Sequence, residues 1–176
     1  MIMTIDPGTL YWGVSVFSGR NLHALFLKNL SEKGSPENRL PKVRAIFLCL
    51  TRKYAPQVLI VKKPREAWKK QSRYLHKIIE EIKRLSQKGG IRVIEFSPKT
   101  IRKVLCQDEQ ATREDMAQAI GEFCPELKEY LNRDRKHKDK HWRKVGSLAL
   151  GVGYLKIRNL QKSYRATRHQ KRNDRK

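Results

Sequence analysis

Acidic side chains are scarce in this sequence: 17 Asp and Glu stand against 40 Lys and Arg in 176 residues, a formal charge of +23. An excess of that size makes binding to a polyanion through counterion release close to unavoidable. It names nucleic acid as the partner class without separating DNA from RNA, and it says nothing about chemistry. Cysteine is also sparse. Cys49, Cys106 and Cys124 are odd in number and show no CxxC spacing, which argues against a disulfide framework or a cysteine-based metal site and leaves reduced core or near-surface thiols. Neither an apolar run of about 18 residues nor a signal-like amino terminus is present, so no membrane partner is expected. The expected location is intracellular, in cytoplasm or nucleoid or in an organelle matrix. Length and a 39% hydrophobic content point to one folded domain over residues 1–160, followed by a basic, flexible segment over 161–176 that has almost no core-forming residues.

What is there has a readable order. Met1 to Asp6 is a short apolar strand that Pro7-Gly8 breaks just after the carboxylate. Tyr11 to Phe17 is aromatic and β-branched, Ser18-Gly19 is a hairpin signal, and Leu22 to Leu30 continues extended, which gives three antiparallel strands. Leu40, Val43, Ile46, Phe47, Leu50 and Tyr54 recur at helical spacing, and Pro56 ends that helix. Val58-Leu59-Ile60-Val61 is wholly apolar and too short for a helix, hence a buried parallel strand with Lys62 at its carboxyl end. A helix then carries Tyr74, Leu75, Ile78, Ile79, Ile82 and Leu85 on one face and stops at Gly89-Gly90. Ile91 to Phe96 is a fifth strand, Pro98 opens a short helix, and Thr112 with Asp115 resembles a capping box for another. Arg133 to Lys144 reads as a basic, histidine-containing loop, and Leu148, Val152 and Leu155 mark a final helix. The class is therefore α/β: a five-stranded mixed sheet, antiparallel first and parallel afterwards, flanked by helices.

Three short motifs in that order carry a resemblance. Ile5-Asp6-Pro7-Gly8-Thr9 with Trp12-Gly13-Val14, then Glu95-Phe96-Ser97-Pro98-Lys99 with Ile101-Arg102-Lys103, then Ser147-Leu148-Ala149-Leu150-Gly151 resemble the RuvC-like Holliday junction resolvases of the RNase H-like superfamily, from roughly Met1 to Leu155. The resemblance implies an RNase H-like fold and metal-dependent phosphodiester hydrolysis, in which clustered carboxylates hold two divalent ions about 4 Å apart. Asp6 falls on the family's first metal ligand. The other three acids match Lys62, Arg143 and Gly146, none of which is chemically close to Asp or Glu. The site therefore reads as degraded and the nuclease as inactivated, with no cofactor expected. If the site were active, Mg²⁺ would be the cofactor, and Asp6 with Asp139 or His141 would hold it. Glu66 lies past Pro64 and off the strand, Glu95 belongs to the neighbouring strand, and Asp134 sits in the basic loop. An acid restored at Gly146, read as a helix start, should cost little. The family's homodimer habit is carried by the resemblance alone.

Several of these residues also have plainer readings. Asp6 alone is a turn former ahead of Pro7-Gly8, and Lys62 alone is a solvated strand end. The preferred reading sets the Lys62 ammonium near Asp6 in place of the missing metal charge, because a lone buried carboxylate is costly. Trp12 and Trp142 could stack on bases, though packing is the commoner role for a Trp beside glycine. His137 and His141, among lysines and without a nearby Cys, read as phosphate neighbours. The candidate nucleic-acid-binding residues are Lys62, Lys63, Arg65, Lys69, Lys70 and Arg73 after the fourth strand. Lys99, Arg102 and Lys103 follow the fifth, and Arg135, Lys136, Lys138, Lys140, Arg143 and Lys144 complete the set. The leading function is binding of branched DNA or structured RNA without cleavage. An endonuclease with a rearranged site and a structural RNA-binding subunit of a ribonucleoprotein are the alternatives.

Overall fold

Alternation along the first strand decides how the molecule is layered. In the computed structural model, which describes residues 1–31, 39–63, 73–128, 131 and 138–173 (backbone alone for 138–139 and 162–173), β1 (Ile2–Asp6) is buried along its whole length. Side chains on a strand alternate between faces. Met3 and Ile5 accordingly join one core with Val14, Leu59, Phe47 and Ile78, while Ile2 joins a second core with Phe17, Ile60, Ile101 and Leu148. Each core lies on one face of the sheet.

β1 is central in the strand order β3-β2-β1-β4-β5. β2 (Tyr11–Ser18) and β3 (Asn21–Asn29) form an antiparallel hairpin whose two-residue turn begins at Gly19, at φ 60°; a turn of this length needs such a φ at its first position. β4 (Val58–Lys62) and β5 (Arg92–Phe96) run parallel to β1. Helices α1 (Arg39–Tyr54) and α2 (Arg73–Lys88) contribute to the Met3 core, and α3 (Pro98–Cys106) and α4 (Arg113–Phe123) to the Ile2 core. A fifth helix, α5 (Lys138–Asn173), also contributes to the Ile2 core.

The local signals act where the sequence placed them. Ser97 caps α3 through Thr100 N at 3.0 Å, with Pro98 in its first turn. Thr112 and Asp115 form both bonds of a capping box at the start of α4. Gly90, at φ 67°, ends α2, and Ile91 N closes back on Ser86 O at 2.9 Å. Arg84 and Arg44 both bind Glu81 and so tie α1 to α2. The hydrogen bond from Arg84, and then that from Arg44, lowers the pKa of the Glu81 carboxyl to about 2.

The carboxyl-terminal third differs from the sequence reading. Arg133 to Lys144 reads as a loop, but α5 begins at Lys138; residues 132–137 lie outside the described residues. His141, Val145, Leu148 and Val152 are all buried at helical spacing, and counting His141 as polar and exposed hid the first member of that stripe. The backbone of α5 also continues through Asn173, over the segment whose composition suggests a tail without regular structure. No Gly or Pro follows Gly153, and Lys, Arg, Gln and Ala are good helix formers. Among the described residues no helix is long and apolar enough to cross a membrane. Of the cysteines, Cys49 is exposed, Cys106 half-buried and Cys124 buried, all as free thiols.

Candidate nucleic-acid cleft

Ile5 pairs with Val61 in parallel register, so one step further along both strands sets Asp6 beside Lys62 on the same face of the sheet. There the Lys62 ammonium donates to both carboxylate oxygens of Asp6, at 3.1 Å to Oδ1 and 2.9 Å to Oδ2. Arg143, reaching down from α5, donates through Nη1 to Asp6 Oδ1 at 3.1 Å and to the Pro7 carbonyl at 2.9 Å. Asp6 is 2% exposed. Its negative charge is thus met from the sheet and from the helix, as a buried carboxylate requires.

The approach of α5 is what brings Arg143 this close. Gly13 on β2 faces the helix backbone so tightly that an added Cβ would lie 1.8 Å from the Arg143 carbonyl oxygen. One turn on, the Thr4 and Ser15 hydroxyls lie 2.7 and 3.1 Å from the Ser147 carbonyl oxygen and 2.5 Å from each other, so their two protons are shared among three short contacts, at least one of them donated to the carbonyl. This buried polar latch joins β1, β2 and α5. Gly146 then rests on the carboxylate itself, since a Cβ there would lie 1.9 Å from Asp6 Oδ2. The expectation that an acid at 146 costs little is therefore corrected. The position is eight residues inside α5 rather than at its start, and any side chain meets Asp6.

A cleft of about 160 Å³ opens above this cluster. Among the described residues, Lys62, Lys63, Arg102, Arg113 and Arg143 line it with Asp6 as the single acid, over an apolar floor that includes Ile79, Ile101 and Met116. Arg113 was missed in the sequence. Its guanidinium lies 5.8 Å over the Trp142 ring, a cation–π contact. The available signal was a cation in the first turn of α4, where the helix dipole favours acids such as Glu114 and Asp115.

The other candidates distribute unevenly. Arg73, Lys99 and Lys103 are exposed, and Lys103 pairs with Glu109 at 3.4 Å. Lys140 lies 5.2 Å over the Tyr11 ring, and Lys144 is half-buried on α5. Arg65, Glu66, Lys69, Lys70, Asp134, Arg135, Lys136 and His137 lie outside the described residues, as do the side chains of Lys138 and Asp139. Trp12 is fully buried, so it packs and cannot stack on bases; Trp142 packs against the Ile2 core with His141 at its edge, ring centroids 5.0 Å apart. His141 is not brought to Asp6. It is buried on the core stripe, two residues and so about 200° around the helix from Arg143. Glu95 turns to the other face and pairs with Lys83 at 3.3 Å.

A pair of divalent ions does not fit the residues at this site. Among the described residues there is no cluster of three His, Cys, Asp or Glu that could hold a metal. The one carboxylate that the described residues place here has both oxygens occupied by cationic donors, and a dication would have to displace or repel both.

No protein-family model and no curated protein matches the sequence. Solved structures do resemble this one. RuvC from Thermus thermophilus aligns with a TM-score of 0.70 at 14% identity over 91% of this chain and 96% of its own. The yeast mitochondrial Holliday junction resolvase Ydc2 aligns at 0.70 and 18% identity over 96% of this chain and 83% of its own. The Fowlpox virus resolvase, solved with its substrate Holliday junction DNA, aligns at 0.57 and 22% identity over 89% and 99%. The chain therefore has the RuvC-like, RNase H-type fold.

Proposed function

We propose that this protein binds branched DNA across the carboxyl ends of β1 and β4 and does not cleave it. The observation that carries the reading is the closure of Asp6 by Lys62 and Arg143, which sets two cations where carboxylates and divalent ions would be needed for hydrolysis. The choice of branched DNA is supported by the structural neighbours, two of which are solved with Holliday junctions. The excess of +23 supplies the affinity for phosphate. Residues 161–176 add basic charge to the same interaction, outside a domain of 1–160.

Fluorescence anisotropy with a four-way junction, a duplex of the same sequence and a structured RNA tests this. Junction binding should be tightest, with log K falling against log salt by roughly 0.9 per phosphate neutralised. Denaturing gels of the bound junction in Mg²⁺ or Mn²⁺ should show intact strands. Metal-dependent cutting that disappears in Asp6→Asn would overturn the loss of activity. Preference for structured RNA over the junction would overturn the substrate and favour the ribonucleoprotein role.

A further inference from the structure

Once Asp6 is satisfied, the cleft still holds more donors than acceptors. The Lys62 ammonium has three N–H groups and uses two of its directions on Asp6. Arg143 spends Nη1 on Asp6 and Pro7, which leaves the second edge of its five-donor fork. Arg102 gives Nη1 to the Glu109 carbonyl at 3.3 Å, while its buried Nε finds no acceptor among the described residues. A buried donor without a partner costs about as much as a lost hydrogen bond. Arg113 is held over Trp142 and forms no carboxylate pair among the described residues. Among the described residues five cations therefore surround one neutralised acid, against an apolar floor that lowers the local dielectric and strengthens their field.

We infer that this cleft takes a single DNA backbone phosphodiester directly on Lys62, Arg102, Arg113 and Arg143, with no divalent ion between protein and phosphate. The volume suits the group: about 160 Å³ is the share of roughly five water molecules, and a phosphate has five heavy atoms. Guanidinium forks match phosphate oxygens in pairs, which an ammonium alone cannot do. Asp6 then acts as a positioning residue that holds Lys62 and Arg143 in place and does not itself meet the DNA. The inference rests on the reading of the chain as a branched-DNA binder, and it makes that binding independent of divalent metal.

The test uses the full chain and four-way junctions in which one phosphate at a time, around the crossover, is replaced by a neutral methylphosphonate. Affinity in EDTA should equal that in Mg²⁺. One methylphosphonate position should weaken binding by roughly tenfold, the worth of a charge-assisted contact. In Arg102→Ala with Arg113→Ala that position should matter much less, because two of the four groups that hold the phosphate are gone. Lys88→Ala, at the far end of α2, controls for simple loss of charge and should leave the position's effect in place. Circular dichroism of each variant separates lost contact from lost fold, and Arg102→Lys with Arg113→Lys serves if the alanine pair does not fold. Junction binding with no methylphosphonate position coupled to these arginines overturns the inference and leaves the broader reading standing. Binding abolished by EDTA also overturns it. Absence of junction binding overturns both.

Discussion

Gly146→Ala adds one carbon at the point where α5 rests on the Asp6 carboxylate, and the sign of its effect is decisive. That carbon would lie 1.9 Å from Asp6 Oδ2, 2.8 Å from Cγ and 3.2 Å from Cβ, so rotating the carboxylate does not clear it. Asp6 is also pinned: 2% exposed, it accepts from Lys62 through both oxygens and from Arg143 through one. Either α5 moves away from β1 or the ion pairs break. Overpacking of this kind costs about 1–3 kcal/mol. Lost charge-assisted bonds add about 1 kcal/mol, below their usual range of about 1.5–3 kcal/mol, because Lys62 and Arg143 remain 34% and 33% exposed and solvent screens them. Against this, Ala is favoured over Gly in a helix interior by up to about 1 kcal/mol. The net expectation is destabilisation by about 1–3 kcal/mol, or a Tm lower by roughly 3–10 °C for a chain of this size. Urea unfolding beside thermal melts measures it. In an Asp6→Ala background most of the penalty should vanish, since the colliding group is gone. An alanine variant as stable as the natural protein, or more so, would refute the contact and with it the account of why no acid can stand at 146.

Three further outcomes are expected. Lys62→Glu with Arg143→Asp, leaving Gly146 unchanged, sets two new carboxylates beside Asp6; calorimetry should detect Mn²⁺ binding in this variant and none in the natural protein, and a folded variant that binds no Mn²⁺ would void the match of those positions to metal-ligating acids. Glu81 is held at about 2, against 4.5 when unpaired, first by Arg84 and then by Arg44. Its contribution to stability is present above pH 4.5 and lost as pH falls toward 2, so Glu81→Gln should flatten the acid side of a pH–urea midpoint profile, and an unchanged slope there would refute the pairing. Removing Ser163 to Lys176, with its six Lys and Arg, should weaken junction binding and lower the salt slope by up to about 0.9 per lost phosphate contact, while the Tm stays within a few degrees; unchanged affinity would exclude that segment from the interface.

Much of this site could be read in the chain because its parts follow short-range rules. Asp6 ends an apolar strand at Pro7-Gly8, Lys62 ends another, and parallel pairing with period-two alternation sets them side by side. What escaped is long-range or disguised. The resemblance set Arg143 at this site, but its ion pair with Asp6, across 137 residues, is announced by nothing near either residue. Arg113 enters the cleft only because α4 starts beside α5 and Trp142 holds its guanidinium. The start of α5 was hidden by charge, since His141 among lysines looks exposed until the helix buries it.

By itself the sequence determined a charge of +23 that suits a polyanion, the order of the strands and most helices, through hydrophobic periodicity and capping, and the scarcity of acids at the matched positions. Tertiary structure alone decided that Arg143 would join Lys62 on the remaining acid. Periodicity places a side chain on a face, but it does not set the distance between a helix and a sheet. Here Gly13 and Gly146 let α5 approach until Arg143 joins Lys62 on Asp6, and a separation greater by a few ångströms would have left the carboxylate to Lys62 alone.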